Sequence, residues 1–310
     1  MKKLIATIIS AAMLMTCFAG CGKTSSKDGL KIVTTIFPIY DWTRNITGAN
    51  PAGAEIDLLM QSGTDMHSFQ PTVQDIMTIS DCDLFIYVGG ESDEWVEDAL
   101  EEAVNKDMVV LNLMEVLGDR ALQEDEHEDN EPENDEHIWL SLKNADICCE
   151  AIEEALISID PDNVDTYRVN ATTYRGQITD LDFEYENTVE ECSKDTILFA
   201  DRFPFRYMMH DYGINHYEAF EGCSAETEAS FETVIFLAGK VDECGLDYVV
   251  RIDGSDDRIP QSIIDNTASK DQQILILNSM QSVNTADIEA GSTYLSIMES
   301  NLAVIRAALS

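Results

Sequence analysis

The run at 83–88, Asp83-Leu84-Phe85-Ile86-Tyr87-Val88, followed by Gly89-Gly90, constrains this chain more than any other stretch. It is nearly continuous in apolar residues. A strand of that composition has to be covered on both faces, as inside a parallel sheet flanked by helices. Shorter runs rich in β-branched or apolar residues recur at 30–36, 54–59 and 108–112. Helical patterns fall between them: one begins at Phe37-Pro38, one spans 71–80 with Thr72 as a cap, and one spans 95–104. Strand and helix alternate, so residues 30–158 read as an α/β domain.

The second half repeats this logic. Strands are expected at 196–200, 248–252 and 273–277, and helices at 205–212, 232–244, 260–268 and 293–309. Gly213 and Gly245 end two of those helices, as C-terminal glycines do. Residues 194–310 therefore form a second α/β domain. Between the halves, Asp160-Pro161 opens a helical pattern over 161–193, with Gly176 as its weakest point. A continuous helix there would span ~50 Å and act as a stiff connector over 159–193. The expected fold is α/β, with two similar open-sheet domains joined by one long helix. Residues 119–136 break the pattern. Nine acids, His127, one proline and two asparagines fill 124–136, which reads as an acidic surface loop with almost nothing to bury.

Charge narrows the function. The chain has 310 residues, 45% of them hydrophobic, and a formal charge of -40. The apolar content excludes wholesale disorder, and the charge excludes nucleic acid as a partner. A field this negative suits the capture of cations. Lys2 and Lys3 precede an uncharged stretch to Met15 that is too short to cross a bilayer, which reads as a secretory signal. Residues 22–29 are a polar tether. Six cysteines follow Cys21, at 82, 148, 149, 192, 223 and 244, with no Cys-x-x-Cys spacing and no assignable pairing.

Two of the five histidines stand out. His67 lies in a glycine-containing loop between a strand and a helix, where open α/β sheets place their ligand sites. His137 follows the acidic loop. Imidazole is the commonest metal ligand, and two loop histidines in one domain could face a single cation; each could equally be a surface or hydrogen-bonded histidine.

The order of motifs resembles the substrate-binding proteins of bacterial zinc and manganese ABC transporters. Gly63-Thr64-Asp65-Met66-His67-Ser68-Phe69-Gln70-Pro71 resembles that family's Gly-Thr-x-x-His-x-(aromatic)-x-Pro segment. Asp135-Glu136-His137-Ile138-Trp139-Leu140 resembles its Asp-x-His-x-Trp block, and the run at 294–309 its closing helix. Phe18-Ala19-Gly20-Cys21 resembles the bacterial lipoprotein box, which implies a signal peptide over 1–21 ending at a lipidated Cys21. The resemblance implies one metal ion held between the two domains, with His67 and His137 as the first domain's ligands. The second domain's motif departs from the family. Its usual His or Glu aligns with Asp201 or Arg202, and Asp201 is the expected ligand because arginine cannot bind a cation. Asp253, after the strand at 248–252, is the expected fourth, with Asp256 and Asp257 as rivals, while His210 and His216 are alternatives for the third. Glu226 and Glu228 resemble a segment near the family's cleft and read as helix N-terminal acids.

The implied role is capture of Zn²⁺ and delivery to a membrane permease, at the extracellular face of the membrane, by a lipid-anchored monomer with no enzymatic chemistry. Zinc accepts two histidines and two carboxylates at four-coordinate geometry. Manganese is the alternative cargo, although it prefers more oxygen ligands. A metal-binding adhesion lipoprotein is a second alternative. A secreted metalloenzyme is a third, and it lacks a His-Glu-x-x-His motif.

Overall fold

The computed structural model describes residues 29–124, 134–220 and 229–310. The signal segment with Cys21, the tether at 22–28, the acidic stretch with His127, and Cys223, Glu226 and Glu228 lie outside the described residues.

Strands β1 (Lys31–Thr34), β2 (Glu55–Leu58), β3 (Leu84–Tyr87) and β4 (Val109–Asn112) form a parallel sheet in the order β2-β1-β3-β4. Strands β5 (Thr196–Phe199), β6 (Asn215–Glu218), β7 (Tyr248–Ile252) and β8 (Gln273–Leu277) repeat that topology as β6-β5-β7-β8. Each sheet reverses its strand order once, between β1 and β3 and between β5 and β7. Ligand sites in open α/β sheets lie at the carboxyl ends of strands beside such a reversal.

The helices of the first half are α1 (Phe37–Thr47), α2 (Val73–Ser80), α3 (Trp95–Glu101), α4 (Leu113–Leu117) and α5 (Leu142–Ile159). The connecting helix is α6 (Val164–Glu191), and the second half adds α7 (Arg206–Tyr212), α8 (Phe231–Cys244), α9 (Arg258–Asn266), α10 (Thr285–Glu289) and α11 (Tyr294–Leu309). Thr72 caps α2 through a box with Asp75, while Gly213 and Gly245 end α7 and α8 in the left-handed conformation. No helix among the described residues is long and apolar enough to cross a membrane.

The expected connecting helix is present and lies packed along its length. Pro161–Asn163 form a single 3-10 turn, and the α-helix of 28 residues follows. Its buried residues are Tyr167, Ala171, Tyr174, Ile178, Leu181, Tyr185 and Thr188, which repeat in steps of four and three. That is the 3.5-residue seam of a helix lying lengthwise against neighbours. The neighbours are α1, α5 and α11. One contiguous apolar cluster thus runs from Ile32 in the first sheet through α6 to Phe199 and Leu309 in the second half. Buried Asp41 of α1 fastens this junction, accepting the Tyr174 hydroxyl and the Tyr294 backbone N–H, each at 3.1 Å. Cys148 and Cys149 both lie inside this core, and the described cysteines at 82, 148, 149, 192 and 244 are free thiols.

Candidate metal centre

His67 is placed by a short, over-determined loop after β2. Gly63 adopts φ +68°, and a Cβ there would come within 2.5 Å of the Ser282 carbonyl oxygen. Only glycine allows that approach between the two halves. Two residues on, Asp65 caps a 3-10 turn at Met66–Ser68 and accepts the His67 backbone N–H at 3.1 Å. His137 comes from the chain after the acidic loop. Its side chain is 1% exposed, and Asp135 at its foot is fully buried.

The two imidazoles meet at Nε2, 3.1 Å apart. Each ring is oriented from its other nitrogen. His137 Nδ1 lies 2.8 Å from Asp135 Oδ1. A carboxylate can only accept, so Nδ1 carries the hydrogen. His67 Nδ1 lies 2.8 Å from Ser92 Oγ, whose own hydrogen goes to Glu136 Oε2 at 2.5 Å. Ser92 therefore accepts from His67 Nδ1 as well. Both Nε2 atoms then present lone pairs to one point. Two lone pairs at 3.1 Å repel unless a shared proton or a metal ion lies between them. Metal-ligating histidines are held by this kind of partner on the far nitrogen.

The supports are themselves built in. Glu136 also accepts the Ser92 backbone N–H at 2.7 Å. Gly90, at φ +88°, makes room for it, since a Cβ there would fall 2.3 Å from Glu136 Oε1. Burial opposes ionisation of Asp135, but its interaction with the His137 ring, the hydrogen bonds from the ring and backbone N–H of that residue, and the Arg206 charge outweigh it and hold the carboxyl below its usual range. Glu124, at the other side of the loop's base, is pushed up by its burial and by the Asp135 charge.

The second half faces this pair with arginines. Arg202 Nη1 lies 2.8 Å from Asp65 Oδ2, and Arg206 Nε lies 3.3 Å from Asp135 Oδ2. Asp201 and Asp253 sit at the carboxyl ends of β5 and β7, beside the strand-order reversal, as expected of ligands. Their oxygens are committed differently. Asp201 accepts the Arg202 N–H at 2.9 Å and the Ile252 N–H at 3.2 Å. The β5–β7 ladder pairs only Phe199 with Val250, so this carboxylate takes up a backbone donor where the strands diverge. Asp253 accepts the Ser279 N–H at 2.6 Å and both the Ser279 and Ser282 hydroxyls. The structure brings His67 and His137 together and does not bring Asp201 or Asp253 to them. Among the described residues no three His, Cys, Asp or Glu side chains stand at metal-holding distance.

The rivals are placed elsewhere. His216 stacks on Phe203 with ring centroids 4.2 Å apart and lies 3.9 Å from Glu218. The His210 side chain is 66% exposed at the end of α7, while Asp256 and Asp257 pair with Arg258 and Arg251. Sequence reading missed Ser92, Glu136, Asp65 and the two arginines. Asp65, Glu136 and Arg202 stood inside or beside the motifs that marked the site, whereas Ser92 and Arg206 carried no local signal.

Two parallel-sheet halves, a packed connecting helix and paired imidazoles between the sheets define the class of solute-binding proteins. The chain belongs to the family described as zinc-uptake complex component A, periplasmic, whose sequence model matches residues 32–308. It is 28% identical over 316 residues to the zinc-binding lipoprotein AdcA of Streptococcus pneumoniae, covering 99% of this chain but 61% of that protein. It thus spans about three fifths of the AdcA proteins it matches. It is 26% identical over 316 residues to the high-affinity zinc uptake system protein ZnuA of Bacillus subtilis, covering 97% of this chain and 96% of the other. The crystal structure of the Zn(II)-bound ZnuA-like domain of S. pneumoniae AdcA superposes with a TM-score of 0.73 at 27% identity, over 91% of this chain and 99% of that one.

Proposed function

We propose that this protein is the extracytoplasmic binding component of a metal ABC transporter, that it captures Zn²⁺ between its halves at His67 and His137, and that it hands the ion to a membrane permease. One observation carries the reading: the two Nε2 lone pairs converge at 3.1 Å while both Nδ1 hydrogens are engaged. Two Zn–N bonds of ~2.0–2.1 Å at a tetrahedral angle put their nitrogens ~3.3–3.4 Å apart. The pair stands within a few tenths of an ångström of that spacing. The zinc-named relatives support zinc over manganese, as does a nitrogen-donor pair, since manganese favours oxygen ligands. The ion is cargo. No step of chemistry on it is needed, and the chain works as a non-enzymatic monomer. Lipidation at Cys21 would keep it at the outer face of the membrane.

Asp201 and Asp253 enter this proposal as builders of the second wall, through the backbone donors they hold. The test is a competition titration of chelator-stripped protein beginning at Gly22, with Zn²⁺ and Mn²⁺ each against a chelator of known affinity. One zinc site, lost in His67→Ala and in His137→Ala, is expected, with weaker binding of Mn²⁺. A folded wild type with no zinc site would overturn the proposal. If Asp201→Ala or Asp253→Ala abolishes binding while leaving the melting temperature unchanged, that residue is a ligand and the wall-building role is wrong.

A further inference from the structure

We infer that Asp65 is a shared carboxylate, held by Arg202 in the arrangement described here and released from it to become a third metal ligand when cargo binds. The inference rests on the zinc reading above and names what regulates that site.

Asp65 belongs to the His67 loop, and its two oxygens point to different partners. Oδ1 accepts the His67 backbone N–H at 3.1 Å and lies 4.0 Å from His67 Nε2. Oδ2 lies 2.8 Å from Arg202 Nη1, on the opposite half of the molecule. A zinc ion bonded to a nitrogen at ~2.0–2.1 Å and an oxygen at ~2.0–2.2 Å at a tetrahedral angle spaces those atoms ~3.3–3.5 Å apart. Asp65 Oδ1 is therefore about half an ångström too far, a distance covered by a small rotation of its side chain. The two Nε2 atoms stand 3.1 Å apart and Asp65 Oδ1 stands 4.0 Å from the first of them, outside metal-holding distance in this arrangement.

Arg202 holds the other oxygen of this carboxylate from across the molecule. Its guanidinium is charged at any accessible pH and cannot bind a metal, so it acts only as a competing cation for the same carboxylate. Both partners are partly buried, with side chains 29% and 21% exposed, so the pair is less screened than a surface ion pair. The neighbouring pair differs. Asp135 gives one oxygen to His137 Nδ1 and the other to Arg206, so it supports a ligand from behind and offers no atom to the metal. Because Asp65 and Arg202 sit on different halves, metal capture draws the carboxylate away from the cross-cleft pair. Re-forming that pair takes a ligand from the metal, so release is coupled to the relative position of the halves. Arg202 is the affinity-setting residue, and its removal tightens binding.

The test measures zinc affinity by chelator competition, and the visible spectrum of Co²⁺-loaded protein, for wild type, Asp65→Asn, Arg202→Gln, Arg202→Lys and the Asp65→Asn/Arg202→Gln double variant. A thermal melt checks the fold of each. Arg202→Gln is expected to tighten zinc by about tenfold or more, the effect of removing a unit charge a few ångströms from the site. Arg202→Lys, which keeps the competing charge, stays within a few-fold of wild type. Asp65→Asn weakens zinc by about tenfold or more and shifts the Co²⁺ ligand-field bands, and in the double variant the gain from Arg202→Gln disappears. The inference is overturned if wild type binds zinc at the histidines but folded Arg202→Gln binds no tighter, or if Asp65→Asn leaves affinity and spectrum unchanged. Absence of a histidine-dependent zinc site in wild type overturns instead the reading on which it rests.

Discussion

Trp139 donates its indole N–H to the carbonyl oxygen of Ser279, 2.9 Å away and 140 residues later in the chain. Ser279 is the residue whose N–H and hydroxyl Asp253 holds. The same loop continues to Ser282, which abuts Gly63, and to Thr285, whose N–H reaches the Gln61 carbonyl at 3.0 Å. One loop of the second half thus touches both histidine-bearing segments of the first. Replacing Trp139 by Phe keeps an aromatic ring but removes the pyrrole part with its donor, leaving a buried carbonyl without this partner. A loss of about 1–3 kcal/mol is expected in urea unfolding, with zinc affinity reduced as well.

Gly90→Ala reaches the metal centre through its supports. The new Cβ needs the space of Glu136 Oε1, in a backbone conformation that strains any L side chain. Glu136 then leaves Ser92, and the His67 ring loses its orientation. Zinc affinity is expected to fall by about 10–100-fold, the usual effect of disturbing a ligand's outer partner. Chelator competition on the folded variant reads it directly.

Gly176→Ala should act in the opposite direction. Gly176 lies inside α6 with nothing within 4 Å of a built Cβ. Alanine there removes backbone entropy from the unfolded chain without a clash, so stability is expected to rise by about 0.5–1 kcal/mol in thermal unfolding, with zinc binding unchanged.

Asp93 predicts a pH dependence. Its carboxyl is 3% exposed, and burial pushes it up to about 6 from an ordinary 3.8. An acid raised in the folded state favours folding most when protonated. Its contribution is present in full below about pH 4 and is lost as pH rises through about 6. At 1.36 kcal/mol per unit, the ionised group costs the native state about 3 kcal/mol at neutral pH. Asp93→Asn is therefore expected to be more stable than wild type at pH 7.5, with the difference fading by pH 4. Equal stability at both pH values would refute this.

Much of the fold was legible because parallel strands announce themselves. The apolar run of β3, the capped α2, and the glycine-stopped α7 and α8 stand where the residues put them. The polar edge strand Asn215–Glu218 carries little sequence signal, since an edge strand needs little apolar sequence. The nature of α6 was harder. Its seam is carried by Tyr167, Ala171, Tyr174 and Tyr185, residues that hydropathy underrates, so the sequence marked a connector without marking the core it lies in. The histidines were found through local motifs. The second half's share was not, because an aspartate after a strand looks the same whether it holds a metal or a backbone N–H. Asp201 and Ile252 are 51 residues apart, and Asp65 and Arg202 are 137 apart. Such pairings exist only once both sheets have formed.

The central claim is that His67 and His137 bring two Nε2 lone pairs to one cation. X-ray absorption at the zinc edge of the loaded protein tests it most directly. The account predicts the outer-shell scattering of two imidazoles with Zn–N distances of ~2.0–2.1 Å, reduced to one in His137→Ala. A zinc shell of light atoms with no imidazole signature would contradict it.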